Sequence, residues 1–456
     1  MTNSKPLVRK HCAPHTAAAS IHGCPVVKAA FDSAIGIDVH HSILVCAYQA
    51  CDTQAGEIRT EVAEFGTTVS ALKELIEWVK QRQPQRILME STGVLWLSPY
   101  EALERAGFTS SDLALINARD FKAVAGRKTD TQDAIRLAEY ARLGNIRTSF
   151  VPAREFREQR QIARQITKHT NELQRCKSRL IKTLNFVGCR PTAAFSNVNG
   201  KAAQKILMEY IRGANIREAA EKHGARLRHT PQEIEDILCF ELSENMRDLL
   251  RIQLEEIDRL KETIESLWVL LRRAQQRHEP LLERLIKIPG IREVAARLIL
   301  AEVTDDVSSF PNAERFASWA GLCPGNNESA GKRSSAAAAK GNKWLRRVLV
   351  ECAQAVALSC SSPLRSRFLA LKMRRGYRRA VVAIAHLLLR IIYVLIKTGK
   401  CYVSRASNTL RKLRIERYSR CVNDIRRENF EIHANGLLVD KDTGALEVLE
   451  AEFNPA

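Results

Sequence analysis

The stretch Ala34-Ile35-Gly36-Ile37-Asp38-Val39 is a short apolar strand interrupted by one carboxylate, and the fold is read outward from it. A lone acid inside such a run is costly to bury without a partner. Ile43 to Tyr48 continues the apolar pattern, Gly56 marks a turn, and Ile58 to Phe65 reads as a paired strand. Leu72, Leu75, Ile76 and Val79 then fall at helical spacing and predict a helix near Val69–Gln81. A strand over Arg86–Met89 ends in Glu90, and a helix runs to about Ala106. A strand around Leu113–Ile116 precedes a helix carrying Asp130 and Asp133. Strand hairpins first and strand–helix units later predict a mixed sheet covered by helices.

Further along, the pattern turns helical. Glu155 to Val187 predicts a long polar helix with apolar Ile162, Ile166, Leu173, Leu180 and Leu184 on steps of four and seven. Leu254, Ile257, Leu260, Ile264, Leu267 and Leu271 form a second such stripe. Two stripes of this kind predict an antiparallel helical hairpin or an intermolecular coiled coil, and spacing does not choose between them. Residues 191–247 would form a small, mostly helical insert. Ile288-Pro289-Gly290-Ile291, followed by Val294, Ala295, Leu298 and Ile299, has the form of a helix-hairpin-helix. There a tight turn lets backbone N–H groups approach a phosphate, although any helix pair can use a Pro-Gly turn. Helices from Trp344 to about Cys360 and from Tyr377 to Ile396 follow. At 456 residues the chain is too long for one ordinary core. The expected division is a flexible leader (1–32), a sheet domain (33–152), a helical region (153–279), a C-terminal domain (280–400) and a loosely ordered tail (401–456).

Composition narrows the class. Hydrophobic content of 45% and charged content of 27% are those of a soluble globular protein. The longest apolar run, Ala380 to Ile396, is broken by His386 and Arg390, is short for a membrane span, and reads as a buried helix. Twelve cysteines without a Cys-x-x-Cys pair, and no apolar leader core with a cleavage site, point to a reducing cytoplasm. His11, Cys12, His15, His22 and Cys24 fit no standard zinc spacing. The formal charge is +20, an excess that calls for a polyanion. Between Lys332 and Arg379 there are 13 Lys/Arg against one acid, Glu351; between Val151 and Arg190 there are 10 against three. A basic run is usually a solvated face, but such concentration on two segments favours a nucleic-acid track.

The acids suggest chemistry. Asp130 and Asp133 are three apart, so on a helix both project from one face. With Asp38 and Glu90 at strand ends, four converging carboxylates can hold two hard cations about 3.5–4 Å apart, a pair that clamps the attacking and leaving oxygens of a phosphodiester. Unpaired, they would repel one another, and magnesium is the natural counter-charge. Singly, each acid would more often be a solvated cap or an ion-pair member.

With those residues in view, the chain resembles the DEDD transposases of insertion-sequence family one hundred and ten. The matching blocks are Gly36-Ile37-Asp38-Val39-His40, Glu90-Ser91-Thr92-Gly93-Val94, Asn117-Ala118-Arg119 and Gly126-Arg127-Lys128-Thr129-Asp130 with Asp133-Ala134. They continue with Ser149-Phe150-Val151-Pro152, Pro289-Gly290-Ile291, Gly321 through Gly331, Lys340-Gly341-Asn342 and Leu345-Arg346, so that the resemblance covers roughly residues 33–400. It implies an RNase H-like (RuvC-like) N-terminal domain and a mostly helical C-terminal transposase domain. It implies that Asp38, Glu90, Asp130 and Asp133 bind the metal. It also implies that a serine of Glu328-Ser329-Ala330-Gly331 attacks DNA and forms a phosphoserine link. Ser329 is the candidate, with Ser334 and Ser335 nearby; outside this block, a serine in a Gly/Asn-rich loop is ordinarily a turn residue. The implied partners are donor and target DNA, a structured noncoding guide RNA and further copies of the chain in a dimer or tetramer. Arg127, Lys128, Lys332, Arg333, Lys340, Lys343, Arg346 and Arg347 are the expected nucleic-acid contacts. Two departures stand out: Ser334-Ser335 and Ala336–Ala339 replace Gly and basic residues, and His41 stands where relatives often carry Lys. The alternatives are a metal-dependent junction nuclease that needs no serine, and a nucleic-acid-binding protein whose catalytic site has decayed.

Overall fold

Strand β1 (Ser33–Val39) is the centre of a five-stranded sheet in the order β3-β2-β1-β4-β5. In this computed structural model the residues described are 29–51, 58–90, 93–117, 129–146, 148–198, 200–225, 227–238, 242–323, 327–329, 332–335, 341–360, 362–403, 420, 422–428, 430–432, 437–440 and 446–448. They fall into two units that divide between Val151 and Pro152.

In the first unit, β2 (Ile43–Cys51) and β3 (Ile58–Gly66) are followed by α1 (Val69–Arg82), β4 (Arg86–Glu90), α2 (Leu97–Arg105), β5 (Leu113–Ile116) and α3 (Asp130–Leu143). β1, β2 and β3 pair antiparallel, whereas β1, β4 and β5 pair parallel. This mixed five-strand order is RNase H-like. Ile43–Tyr48 does not prolong β1: the chain reverses, His40 N donates to Ile43 O at 3.0 Å, and β2 returns beside β1.

Both faces of the sheet are covered, which is why β1 reads as a run and not as an alternation. Ile35, Ile37 and Val39 pack with Leu72, Leu75 and Val79 of α1 and Tyr100 and Leu103 of α2. Ala34, Leu88, Ala114 and Ile116 pack on the other face with Leu137 and Ala141 of α3. The expected leader shrinks at its end, since Ala30 N and Phe31 N donate to Arg142 O and tie this segment to the unit. The His/Cys cluster of the leader lies outside the described residues.

The second unit opens with α4 (Arg154–Phe186), then α5 (Pro191–Ala194), α6 (Lys201–Ile211), α7 (Ile216–His223), α8 (Pro231–Leu238) and α9 (Glu244–Ala274). α4 and α9 are the two apolar stripes, and they pair within the chain. Gln159 Nε2 donates to Ala274 O at 3.3 Å, and Gln253 Nε2 to Thr183 Oγ1 at 3.0 Å, so the helices run antiparallel. One core joins the far half of this hairpin to α5–α8 through Leu180, Leu184, Ile206, Ile211, Ile234 and Leu254.

Then come α10 (Glu279–Ile286), α11 (Glu293–Val303), α12 (Ala313–Trp319), the hairpin β6 (Asn327–Ser329)/β7 (Lys332–Ser335), α13 (Lys343–Leu358), α14 (Arg365–Arg375) and α15 (Tyr377–Thr398). Ala301 of α11 shares a core with Ala163 and Ile166 of α4 and Leu271 of α9, so residues on both sides of Pro280 pack together. The Pro289-Gly290 turn does join two helices. Gly290 has φ +87°, and a Cβ on it would lie 2.6 Å from Val356 Cγ2 and 2.7 Å from Cys352 O of α13. A helix that close is reason enough for glycine here. α15 is long and apolar enough to cross a membrane, and half of that stretch is buried inside the fold. Tyr393 Oη, for instance, donates to Phe310 O at 2.9 Å. The expectation of a loose tail needs correction: β8 (Phe430–Ile432), β9 (Leu437–Asp440) and β10 (Leu446–Val448) form an antiparallel sheet in the order β10-β9-β8.

Candidate active site

Side chains two apart on a strand share a face. Asp38 therefore lies on the face of β1 that Gly36 occupies, and Glu90 on the face of β4 that Leu88 occupies, which is the face packed against α3. β1 and β4 run parallel with Ile37 opposite Met89, so Asp38 and Glu90 are neighbours at the same strand ends. A Cβ on Gly36 would sit 2.2 Å from Ala138 N and 2.3 Å from Ala134 O, so α3 crosses directly over the glycine. Thr129 caps α3, its side chain accepting from Gln132 N at 3.3 Å, and fixes where the helix starts. Asp130 and Asp133 occupy the first turn, where the helix dipole favours anions.

His40 binds this arrangement together. Its Nε2 lies 3.0 Å from Asp38 Oδ2 and 3.5 Å from Asp130 Oδ1. Asp38 and Glu90 are each 7% exposed, whereas the Asp130 side chain is 61% exposed. Burial pushes the Asp38 carboxyl above its ordinary range; His40 opposes this, and the charges of Glu90 and Asp133 reinforce it. All four predicted acids thus lie at one end of the sheet. Ligand atoms of Asp38, His40 and Asp130 lie within 4.8 Å of one another, a spacing that can hold a metal ion. Carboxylate oxygens in this number suit a hard divalent cation. His40 was not singled out in the sequence for the site, although it stands only two residues after Asp38, just beyond the end of β1.

Ser329 lies in the other unit, on β6, paired with Lys332 of β7, while Glu328 pairs with Arg333. Arg127, Lys128, Lys340 and the Ala336–Ala339 run lie outside the described residues. Lys343, Arg346 and Arg347 of α13 line a groove with Tyr377 and Arg378 of α15. Two cations of the second basic stretch are used differently from expectation. On α4, Arg164 Nε pairs with Glu302 at 2.8 Å and Arg160 with the same carboxylate at 3.6 Å, so these two cations serve the protein's own interior.

The sheet, its strand order and its cluster of acids define an RNase H-like unit with a candidate metal centre, joined in one chain to a largely helical unit. A DEDD transposase (IS110) family profile matches residues 35–188, and a second, described as the transposase IS116/IS110/IS902 family, matches residues 282–369. The chain belongs to the IS110 family of DEDD transposases. The protein y4pF/y4sB of Sinorhizobium fredii (strain NBRC 101917 / NGR234), named as a transposase, is 33% identical over 125 residues, which are 26% of this chain and 32% of that protein. The chain thus spans about a third of that relative's length. Among solved structures, Thermus thermophilus RuvC aligns at 14% identity over 26% of this chain and 99% of RuvC, with a TM-score of 0.20. RuvC of the same organism in complex with a Holliday junction substrate aligns at 15% identity with the same coverages and TM-score.

Proposed function

We propose that this chain is the transposase of an insertion sequence and cuts and rejoins DNA. The observation that carries this reading is the gathering of Asp38, Glu90, Asp130 and Asp133 at one end of the sheet, where Glu90 and Asp133 push on the buried Asp38. Such crowding of like charge is relieved by a cation, and the four acids would hold magnesium, in two ions by the family's pattern. When bound, the metal would withdraw charge from phosphate oxygens during transfer. His40, in contact with Asp38 and Asp130, orients their carboxylates.

Ser329 is the proposed nucleophile. Its Oγ–phosphorus bond forms as one phosphodiester P–O bond breaks; the serine gives up one proton and the released DNA hydroxyl gains one. Attack by that hydroxyl or by another DNA end on the phosphoserine reverses the step and rejoins the strand. A serine is a weak nucleophile until a base or metal activates it, so the reaction needs the acids as well as the hydroxyl. Donor and target DNA are the substrates. A noncoding RNA from the same element supplies pairing specificity, and the chain acts as a dimer or tetramer in the cytoplasm. The basic groove on α13 and α15 contacts the nucleic acid, together with Lys332, Arg333 and Lys340, which follow Ser329 in the sequence, and Arg127 and Lys128, which precede Asp130 in the sequence.

The test is trapping on a donor-end DNA with magnesium and the RNA transcribed beside the gene. A denaturation-resistant protein–DNA adduct is expected from wild type and not from Ser329→Ala or Asp38→Asn. Adduct from Ser329→Ala would remove the serine assignment. Cleavage without any adduct would replace it with a junction nuclease, and DNA binding without cleavage with a decayed enzyme.

A further inference from the structure

In the sequence, the segment bearing Ser329 is flanked by two glycines, Gly321 and Gly341, that touch. A Cβ on Gly341 would lie 2.3 Å from Gly321 N and 2.6 Å from Trp319 O, and Asn342 N donates to Trp319 O at 3.2 Å. Asn342 also caps α13: its Oδ1 accepts from Trp344 N at 3.1 Å and Leu345 N at 3.2 Å. Its remaining amide group, Nδ2, donates to Glu302 Oε2 at 2.7 Å.

Glu302 is 3% exposed and stands near the end of an otherwise apolar turn of α11, Leu298-Ile299-Leu300-Ala301-Glu302-Val303. Arg164 holds it with both prongs, Nε to Oε1 at 2.8 Å and Nη2 to Oε2 at 2.9 Å. Arg160 approaches the same carboxylate and donates to Ala301 O at 3.3 Å and to Glu302 O. The Arg160 guanidinium lies 5.9 Å from the ring of Trp319, just before the segment. That of Arg164 lies 5.8 Å from the ring of Trp344, just after it. Two turns of α4 therefore grip both ends of the stem through one buried carboxylate.

We propose that Glu302, with Arg160, Arg164 and Asn342, is a positioning site that fixes the stem of the serine-bearing segment against α4. This rests on the reading of Ser329 as nucleophile. A buried ion pair is a poor way to gain stability, because apolar residues of the same volume do as well or better. What it supplies is direction. The forked guanidinium and the single amide donor each accept one orientation of the carboxylate, and through Asn342 that orientation sets where the stem closes. A displacement of about 1 Å at a reacting group can cost roughly a hundredfold in rate.

The test is a double-mutant cycle on the full chain. Glu302→Gln removes the charge that the arginines need, and Asn342→Asp keeps the helix cap but sets two carboxylates in contact. In the double variant the amide introduced on α11 can donate to the carboxylate introduced at the cap, reversing the hydrogen bond while restoring it. Each single variant is expected to slow adduct formation by about tenfold or more while DNA affinity stays within about twofold. Each is also expected to speed amide hydrogen exchange in residues 327–335 without changing exchange in α6. The double variant should recover most of both effects. Arg164→Lys, which keeps the charge and loses the fork, gives the same pattern more mildly should either single variant fold poorly. Unchanged hairpin exchange in the single variants and in Arg164→Lys, or additive losses in the double variant, would overturn the proposal. If exchange responds and is rescued while Ser329→Ala still forms adduct, the positioning site stands and only the nucleophile assignment falls.

Discussion

Gly36 of β1 and Ala138 of α3 are so close that a Cβ on the glycine would lie 2.2 Å from the alanine's backbone nitrogen. That approach brings Asp130 and Asp133 over Asp38. In Gly36→Ala, α3 must lift from the sheet. Overpacking of a core typically costs about 1–3 kcal/mol, and backbone on the opposing side places this case at the upper end. A lowered urea midpoint together with lost magnesium-dependent DNA cleavage is the expected outcome; cleavage at the wild-type rate would show that helix placement is not what assembles the acids.

Removing one of the crowded charges should ease the apo fold. Asp38→Asn is expected to match or exceed wild type in thermal midpoint in EDTA and to lose the rise that millimolar magnesium gives wild type. A magnesium-induced rise of wild-type size in the variant would take Asp38 out of the metal site.

Two kinds of basic residue should separate cleanly. Lys343→Ala and Arg346→Ala, on the groove, should leave the unfolding midpoint unchanged. Each should reduce the log–log salt slope of duplex binding by about 0.9, the effect of one phosphate no longer neutralised. Arg160→Ala instead takes a second guanidinium from the buried Glu302 and removes the donors to the carbonyls of Ala301 and Glu302, so the unfolding midpoint is expected to fall. Equal stability losses in all three variants would contradict this division.

Low pH should weaken the helical unit. His278 is 7% exposed, with Nε2 3.1 Å from Glu155 and Nδ1 3.5 Å from Asp305. Burial holds it below its ordinary value of 6.5, with Arg277 acting in the same direction and Asp305 against. The unfolded chain therefore binds the proton more readily, so the contribution is present above pH 6.5 and is lost as pH falls below it. His386 is lowered by burial as well and adds a slope of the same sign. His278→Gln should flatten part of the stability–pH curve between about pH 6.5 and 5; an unaltered curve would remove His278 as a source.

Much of the sheet unit was legible because its signals are local. Apolar runs of strand length, helical spacing in Leu72–Val79 and acids at strand ends each follow from a few adjacent residues. The antiparallel return of β2 was not, since His40–Ser42 carries no glycine to announce a turn. The pairing of α4 with α9 was undecidable, because the same stripe serves a partner helix in either chain. Two cations on α4 misled for a related reason. Arg160 and Arg164 look like any solvated cations until α11 brings Glu302 to them across more than a hundred residues. An acid enclosed by Leu298–Val303 was the available clue. The strands of the tail were overlooked because each is only three or four residues long.

The α4–α9 hairpin carries one core on its distal half and another on its proximal half, and no buried residue is common to the two. Its helices are about 50 Å long at 1.5 Å per residue. Such a strut works as an adjustable ruler: excising about seven residues from both helices would keep the seam in register and draw the helical cap inward by about 10 Å without repacking either end. Relatives could therefore change reach, or exchange caps as cassettes, while the chemistry-bearing elements stay as they are.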